Sequence, residues 1–268
     1  MKAIKQLYKK LVLRNLYANR AKKNLRGTEK HCVICDSRFS AFLKYEGGSA
    51  NVPDWHKKIE PVGSDLDNFG CPVCNSSDRL RHLYMYFDKL DFWANFDQAE
   101  VLHFAPESIL RKKIQELNVK KYVMADYYPT DDEILKVDIV DIPFDDNSFD
   151  LVICNHVLEH IPDYNKAMSE LYRVTKPRGF AILQTPYSTL LHHNFEDEGI
   201  NTEELRLLYY GQTDHVRYFS ENDFMRGLED AGFKRMIVEH SEVFEENLYK
   251  EKGVNKLESL IRVMKPLD

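Results

Sequence analysis

From about residue 99 onward, short apolar runs alternate with amphipathic ones, and acids follow the second and third of these runs. Two Cys-x-x-Cys pairs lie ahead of them. These observations predict a doubly wound α/β fold. It consists of a mainly parallel, seven-stranded, Rossmann-like sheet with helices on both faces, behind a small N-terminal zinc-binding segment. Three segments are expected: a basic amphipathic helix within 1–30, a zinc-ribbon-like segment with a connecting helix over 31–95, and the α/β domain over 96–268.

The elements follow in order. Ile4, Leu7, Tyr8, Leu11, Val12 and Leu16 recur at helical spacing, which predicts a helix over 2–17. It either docks on its own protein or lies on a membrane surface or partner. Residues 78–95 read as an aromatic-rich helix. Strands are expected over 101–105, 122–125, 137–140, 149–154, 179–184, 234–239 and 260–264. Helices are expected over 106–117, 163–175 and 220–231, with Pro106 suited to a first turn and Gly232 closing the last. The stretch 187–219 reads as a long irregular lid.

Composition narrows the function classes. The 268 residues carry 43% hydrophobic residues and 32 aromatics (15 Phe, 15 Tyr, 2 Trp), enough for a sizeable core. No apolar run approaches the roughly 20 residues that span a bilayer. The net charge of −6 is uneven: residues 1–30 carry +9 and the remainder −15. So acidic a body argues against a nucleic-acid partner, which needs clustered cations. The basic N-terminal arm remains able to touch an anionic surface, so the expected location is cytoplasmic, or peripheral at the inner face of the membrane.

Cys32, Cys35, Cys71 and Cys74 form the strongest local signal. Two Cys-x-x-Cys turns complete a tetrahedron around one Zn²⁺, with bonds near ~2.3 Å. Four thiolates leave no open position, so the site is structural; unmetallated or redox cysteines are the alternative. Cys154, alone in an apolar run, reads as a core residue.

The second constellation runs along the carboxyl ends of the strands. The first strand ends in His103-Phe104-Ala105-Pro106-Glu107, the second at Asp126-Tyr127, the third carries Asp138-Ile139, and the fourth ends in Cys154-Asn155-His156. A dinucleotide needs a glycine-rich turn for its pyrophosphate, and none is present. Glu107 in the first helical turn repels a diphosphate but suits a sulfonium and an ammonium, which favours S-adenosylmethionine.

Residues 138–161 (DIVDIPFDDNSFDLVICNHVLEHI), 170–179 (ELYRVTKPRG) and Asp230-Ala-Gly-Phe resemble class I S-adenosylmethionine-dependent methyltransferases of the type 11 group, over about 99–240. The cysteine pairs together with His-Phe-Ala-Pro-Glu are similar to a bacterial subgroup with zinc-ribbon-like starts. The resemblance implies that the loop His103, Phe104, Ala105 and Glu107 surrounds the methionine part and that Asp126 and Tyr127 lie at the ribose. It places Asp138 and Ile139 at the adenine, and Asn155 near the methionine end. Ala105 and Glu107 stand where the family has its first two glycines.

On the acceptor side, His215 is the first candidate general base and His193 the second. Both lie in the 187–219 stretch with His192 and Asp214; a solvated loop is the plainer reading of all four. Glu159 and His160 are possible acid/base groups, although in the family that segment more often shapes a turn. The expected activity is methyl transfer to an O or N acceptor, either a small molecule or a glycan, with a cell-envelope glycan or lipid-linked sugar favoured. The rival is a non-catalytic binding protein on the same fold, whose zinc segment recruits a partner. Neither acceptor nor oligomeric state is readable from the residues.

Overall fold

A computed structural model of the protein describes residues 24–267. The helix expected over 2–17, and with it the membrane-surface reading, lies outside those residues. Among the described residues, no helix is long and apolar enough to cross a membrane.

The chain forms two compact units. The first gathers described residues from 24–51, Ser64–Tyr86 and Phe244–Lys256. Its strands β1 (Lys30–His31) and β2 (Arg38–Phe39) pair antiparallel. Phe39 and Phe42 pack edge to face at 4.9 Å beside Cys32 and Cys71. Most of the helix Asp78–Lys89 belongs to this unit. The continuous helix expected over 78–95 stops at Lys89. Asp91 adopts a left-handed conformation (φ 50°) and a 3-10 turn, Phe92–Phe96, follows.

The second unit consists of Val52–Gly63, Phe87–Val243 and Leu257–Asp268. It contains β3 (Pro61–Val62), β4 (Glu100–Phe104), β5 (Lys121–Asp126), β6 (Ile134–Lys136) and β7 (Phe149–Cys154). Then come β8 (Thr175–Ile182), β9 (Tyr187–Ser188), β10 (Phe219–Ser220), β11 (Lys234–Arg235) and β12 (Arg262–Met264). Seven of these form one sheet in the order β11-β12-β8-β7-β4-β5-β6. Strands β4 to β8 run parallel, whereas β12 and β11 are antiparallel additions at one edge. The chain proceeds from β4 outward to β5 and β6, then returns to lay β7 on the other side of β4. The carboxyl ends of β4 and β7 therefore flank the switch point where such sheets open a ligand crevice.

Burial explains the parallel strands. Val101 to Phe104 and Leu151 to Cys154 are buried without alternation, as expected of strands covered on both faces. The helix Ser108–Gln115 turns Leu110 and Ile114 inward. The helix Tyr164–Val174 buries Ala167, Met168, Leu171 and Val174, and Asp163 caps it by accepting the Lys166 N–H at 3.0 Å. The helix Glu221–Asp230 is capped in the same way by Ser220.

Several expected boundaries move. The third strand is Ile134–Lys136, not 137–140. There Ile134 pairs with Met124, while the Asp138 carboxylate accepts the Val140 N–H at 3.2 Å and turns the chain. The fifth begins at Thr175, ahead of Gly179, with a register shift between Phe149 and Leu151. Gly179 is required there, because a Cβ would lie 2.8 Å from the Lys176 carbonyl oxygen and 2.9 Å from that of Asp150. The strands expected over 234–239 and 260–264 shorten to β11 and β12. The helix expected over 106–117 is Ser108–Gln115. The stretch 187–219 is more regular than expected: it carries the helix Glu203–Tyr210, and its end strands join β3 in a sheet of order β10-β9-β3.

Candidate functional site

At the end of β4, Ala105 takes a left-handed conformation (φ 47°) and its N–H donates to the Ala125 carbonyl at 2.9 Å. An L-residue there costs about 1–2 kcal/mol, so the turn keeps a glycine-like backbone without glycine. The next turn presents Glu107. Its Oε2 lies 2.8 Å from His103 Nε2, and its Oε1 accepts from Asn155 Nδ2 at 3.3 Å. His103 is fully buried and completes the chain with Nδ1 2.8 Å from the Tyr122 hydroxyl. Desolvation would raise the Glu107 carboxyl, but the bond and charge of His103 outweigh it and hold the group below its usual range. Glu107 is thus a partly exposed carboxylate tying the end of β4 to the end of β7.

The other expected cofactor residues are arranged around this pair of strand ends. Asp126 closes β5 and accepts the Tyr128 N–H through Oδ1 at 2.7 Å; Tyr127 beside it is half exposed. Asp138 is exposed in the following turn and Ile139 is buried. Asn155 is buried directly after β7. Phe104 is buried as well, so of the first loop it is Ala105, Pro106 and Glu107 that border solvent. The donor set fits S-adenosylmethionine: a carboxylate for the cationic methionine part, a second one a strand away for a diol, and an apolar Ile139 for a base. It holds no phosphate cradle.

His215 and His193 separate. His193 is 81% exposed and sits 3.5 Å from the Asp223 carboxylate. His215 is buried and packs edge to face on His160, with ring centroids 4.7 Å apart. Burial pushes its imidazole down to about 4, so the ring is neutral at pH 7 rather than titrating near the ordinary value. Glu159, His160 and His215 bring ligating atoms within 4.8 Å of one another. The 3-10 turn Leu158–His160 follows β7, and the Val216 N–H donates to the Glu159 carbonyl at 3.0 Å, which fastens His215 beside it. Arg217 clamps the same turn. It donates to the Leu158, Ile161 and Pro162 carbonyls, stacks 4.6 Å over Tyr164, and pairs with Glu196 at 2.7 Å. Arg217 stands in no sequence pattern that marks it, and for Glu159 the signal is its place in Leu-Glu-His just past a strand.

Glu159 itself is buried and accepts from the Thr185 hydroxyl at 3.1 Å. Desolvation would raise its pKa, but His156, His215 and His160 outweigh that and bring it down to about 2.

In the first unit the four cysteines meet as expected, as free thiols. Each pair makes the same turn: the Cys32 N–H donates to the Ser37 carbonyl at 3.0 Å and the Cys71 N–H to that of Ser76 at 2.9 Å. Asp36 and Asn75, each after the second cysteine of its pair, take left-handed conformations that these short polar side chains tolerate. The Cys32–Cys74 and Cys35–Cys71 sulfur separations are 3.7 and 3.8 Å. A tetrahedron with Zn–S bonds of ~2.3 Å has edges of about 3.8 Å, so the cradle fits zinc. Arg81, fully buried, braces it with donors to the carbonyls of Asn68, Phe69, Ser76, Lys252 and Gly253, and its guanidinium lies 3.9 Å over Phe42.

Residues 69–183 match a family model described as a methyltransferase domain. A demethylmenaquinone methyltransferase of Staphylococcus epidermidis is 42% identical over 59 residues, 22% of this chain and 24% of that protein. One from Lactobacillus johnsonii is 26% identical over 141 residues, 47% of this chain and 53% of that protein. The chain thus spans about half or less of the curated relatives it matches. Among solved structures, an S-adenosylmethionine dependent methyltransferase from Mesorhizobium loti superposes with a TM-score of 0.46 at 12% identity, covering 63% of this chain and 92% of that one.

Proposed function

We propose that this protein is an S-adenosylmethionine-dependent methyltransferase that holds its donor across the carboxyl ends of β4, β5 and β7. The observation that carries the reading is Glu107, a carboxylate at the switch point shared by His103 and Asn155, inside a segment that matches a methyltransferase domain. When bound, the donor supplies a methyl carbon on a sulfonium. Glu107 faces its positive charge, Asp126 accepts from the ribose hydroxyls, and Asp138 with the Ile139 backbone meets the adenine. His103, buried behind Glu107, fixes the carboxylate's orientation.

Transfer is an in-line displacement, so the residues act chiefly by alignment and exclusion of water. A hydroxyl acceptor must also lose a proton, and the neutral His215, grouped with Glu159 and His160, is the acceptor-side group for that task; an amine acceptor needs none. His193, exposed on Asp223, is the weaker candidate. The acceptor class we favour is a cell-envelope glycan or lipid-linked sugar, reached from the cytoplasmic side through the basic N-terminal segment. The quinone on which the relatives act is its competitor. The four cysteines hold a structural Zn²⁺.

Calorimetry with S-adenosylmethionine tests the donor site. Asp126→Ala should weaken binding by about 1.5–3 kcal/mol. Equal affinities would remove Asp126 from the site, and no binding by the parent would remove the reading. A turnover assay that offers both a lipid-linked sugar and a demethylated quinone then distinguishes the acceptors. Binding without turnover on any acceptor favours the non-catalytic alternative, to which the Ala105 and Glu107 replacements point.

A further inference from the structure

The group formed by Glu159, His160 and His215 asks for more than a hydrogen-bond network. The Glu159 side chain is 2% exposed, yet its one hydrogen bond from a described side chain is the Thr185 hydroxyl. His156 Nδ1 lies 3.5 Å from its Oε1 without hydrogen-bonding geometry, and His215 Nδ1 is buried with no partner among the described residues. Buried polar groups are normally satisfied, so the orphaned His215 imidazole nitrogen beside a buried carboxylate marks a place built for something else. Arg217, the nearby cation, is committed to Glu196 and to backbone carbonyls.

His160 points the same way. Its Nδ1 is 3.3 Å from the Asp214 carbonyl oxygen and 3.6 Å from the Asp214 carboxylate. This is how a metal-ligating histidine is oriented from behind, leaving the other ring nitrogen for the ion. We propose that Glu159, His160 and His215 bind one divalent transition-metal cation beside the acceptor edge of the crevice. Two imidazoles and a carboxylate select a first-row ion over Mg²⁺ or Ca²⁺, which prefer all-oxygen shells. Ligating atoms already within 4.8 Å of one another reach bonds of ~2.0–2.2 Å to a shared ion with small side-chain adjustments. Three protein ligands leave positions open, so the ion is of the catalytic kind rather than the closed kind. His156 stands next to the group as a third ring.

The proposal deepens the methyltransferase reading, with His215 as a ligand in place of a base, and rests on it for one point, that the open position receives an acceptor oxygen. It follows that the acceptor is a hydroxyl compound, whose proton is lost more easily to solvent water on a cation.

Mn²⁺ is the probe, read by its paramagnetic resonance signal in the full-length protein as purified. It avoids thiolates, so the cysteine cluster does not compete for it. The parent should bind one Mn²⁺ per chain, and Glu159→Gln and His215→Ala should each weaken it about 10²-fold. Because both positions are buried, His160→Asn supplies a partly exposed third variant, and its melting curve is recorded beside the parent's. A folded His160→Asn protein that binds Mn²⁺ as the parent does would overturn the proposal, as would a parent that binds none. Calorimetry with S-adenosylmethionine on the same samples keeps the two readings apart. Mn²⁺ binding without donor binding leaves the metal site standing and the methyltransferase reading refuted; donor binding without Mn²⁺ does the reverse.

Discussion

The cysteine cluster of the first unit and the Glu159–His160–His215 group of the second both gather ligating atoms within 4.8 Å, but the chain delivers them differently. The cysteines arrive as two copies of one local turn, each closed by its own backbone hydrogen bond and a left-handed residue. The other group joins the turn after β7 to a residue 55 positions later, through one backbone bond from Val216 and the Arg217 clamp. The first is closed and all sulfur. The second mixes nitrogen with oxygen. Local repetition fixes the ligand spacing within each cysteine turn, whereas the second group depends on contacts between residues far apart in the chain.

The most severe test of that contrast is Cys71→Ser. Structural zinc contributes on the order of 10 kcal/mol to the folding of such segments. Zinc by elemental analysis should fall from one per chain to near zero, and the amides of Asp78–Tyr86 should lose exchange protection. Those of β4, β5 and β7 should keep theirs. Loss of protection in both units together would break the distinction.

Arg81→Met comes next. It removes five donors from backbone carbonyls while keeping most of the volume, so urea unfolding should show a loss of about 3–5 kcal/mol. A change below 1 kcal/mol would mean that the carbonyls find other partners and that zinc alone holds the unit.

His82 sharpens the comparison through pH. Burial pushes its imidazole down to about 3, and it stacks with Tyr86 and Phe244 at 4.7 and 6.1 Å. The unfolded chain takes up a proton below about 6.5 while the folded one does not, so stability falls as pH drops from there toward 3. Between pH 7 and 5 this ring alone should cost about 2 kcal/mol. His82→Phe keeps the stacking and should reduce the pH 7-to-5 loss by that amount, measured by denaturation at the two values. Parallel pH dependences would show that the ring is charged in the fold.

The smallest effect is expected at Thr185→Val, which removes the hydroxyl that donates to Glu159. Destabilisation near 1.5 kcal/mol in the absence of metal, shrinking when Mn²⁺ is added, would show that an ion takes over the carboxylate. An undiminished loss would leave Glu159 as a structural acid.

Much of this was legible beforehand because it is local. The two Cys-x-x-Cys turns and the largely apolar runs of β4 and β7 each lie within a few residues of what they hold. So do Asp126 and Asn155, placed simply by following strands to their ends. The misplaced strand near 134–140 shows the limit of such reading. Val137 and Ile139 are apolar and buried, but Asp138 bonds its own backbone and turns the chain, so burial there marks a turn packed on the core.

What the sequence determined by itself is the α/β class, the cysteine cradle and the acids at the strand ends, since each follows from side-chain periodicity or from a spacing of a few residues. What only the tertiary structure decided is which distant groups meet. His215 and His193 are alike as sequence, but one is buried on Glu159 and His160 and the other is left in solvent on Asp223. Ionisation and ligation depend on desolvation and on neighbours within a few ångströms, and those are set by the folding of residues far apart in the chain.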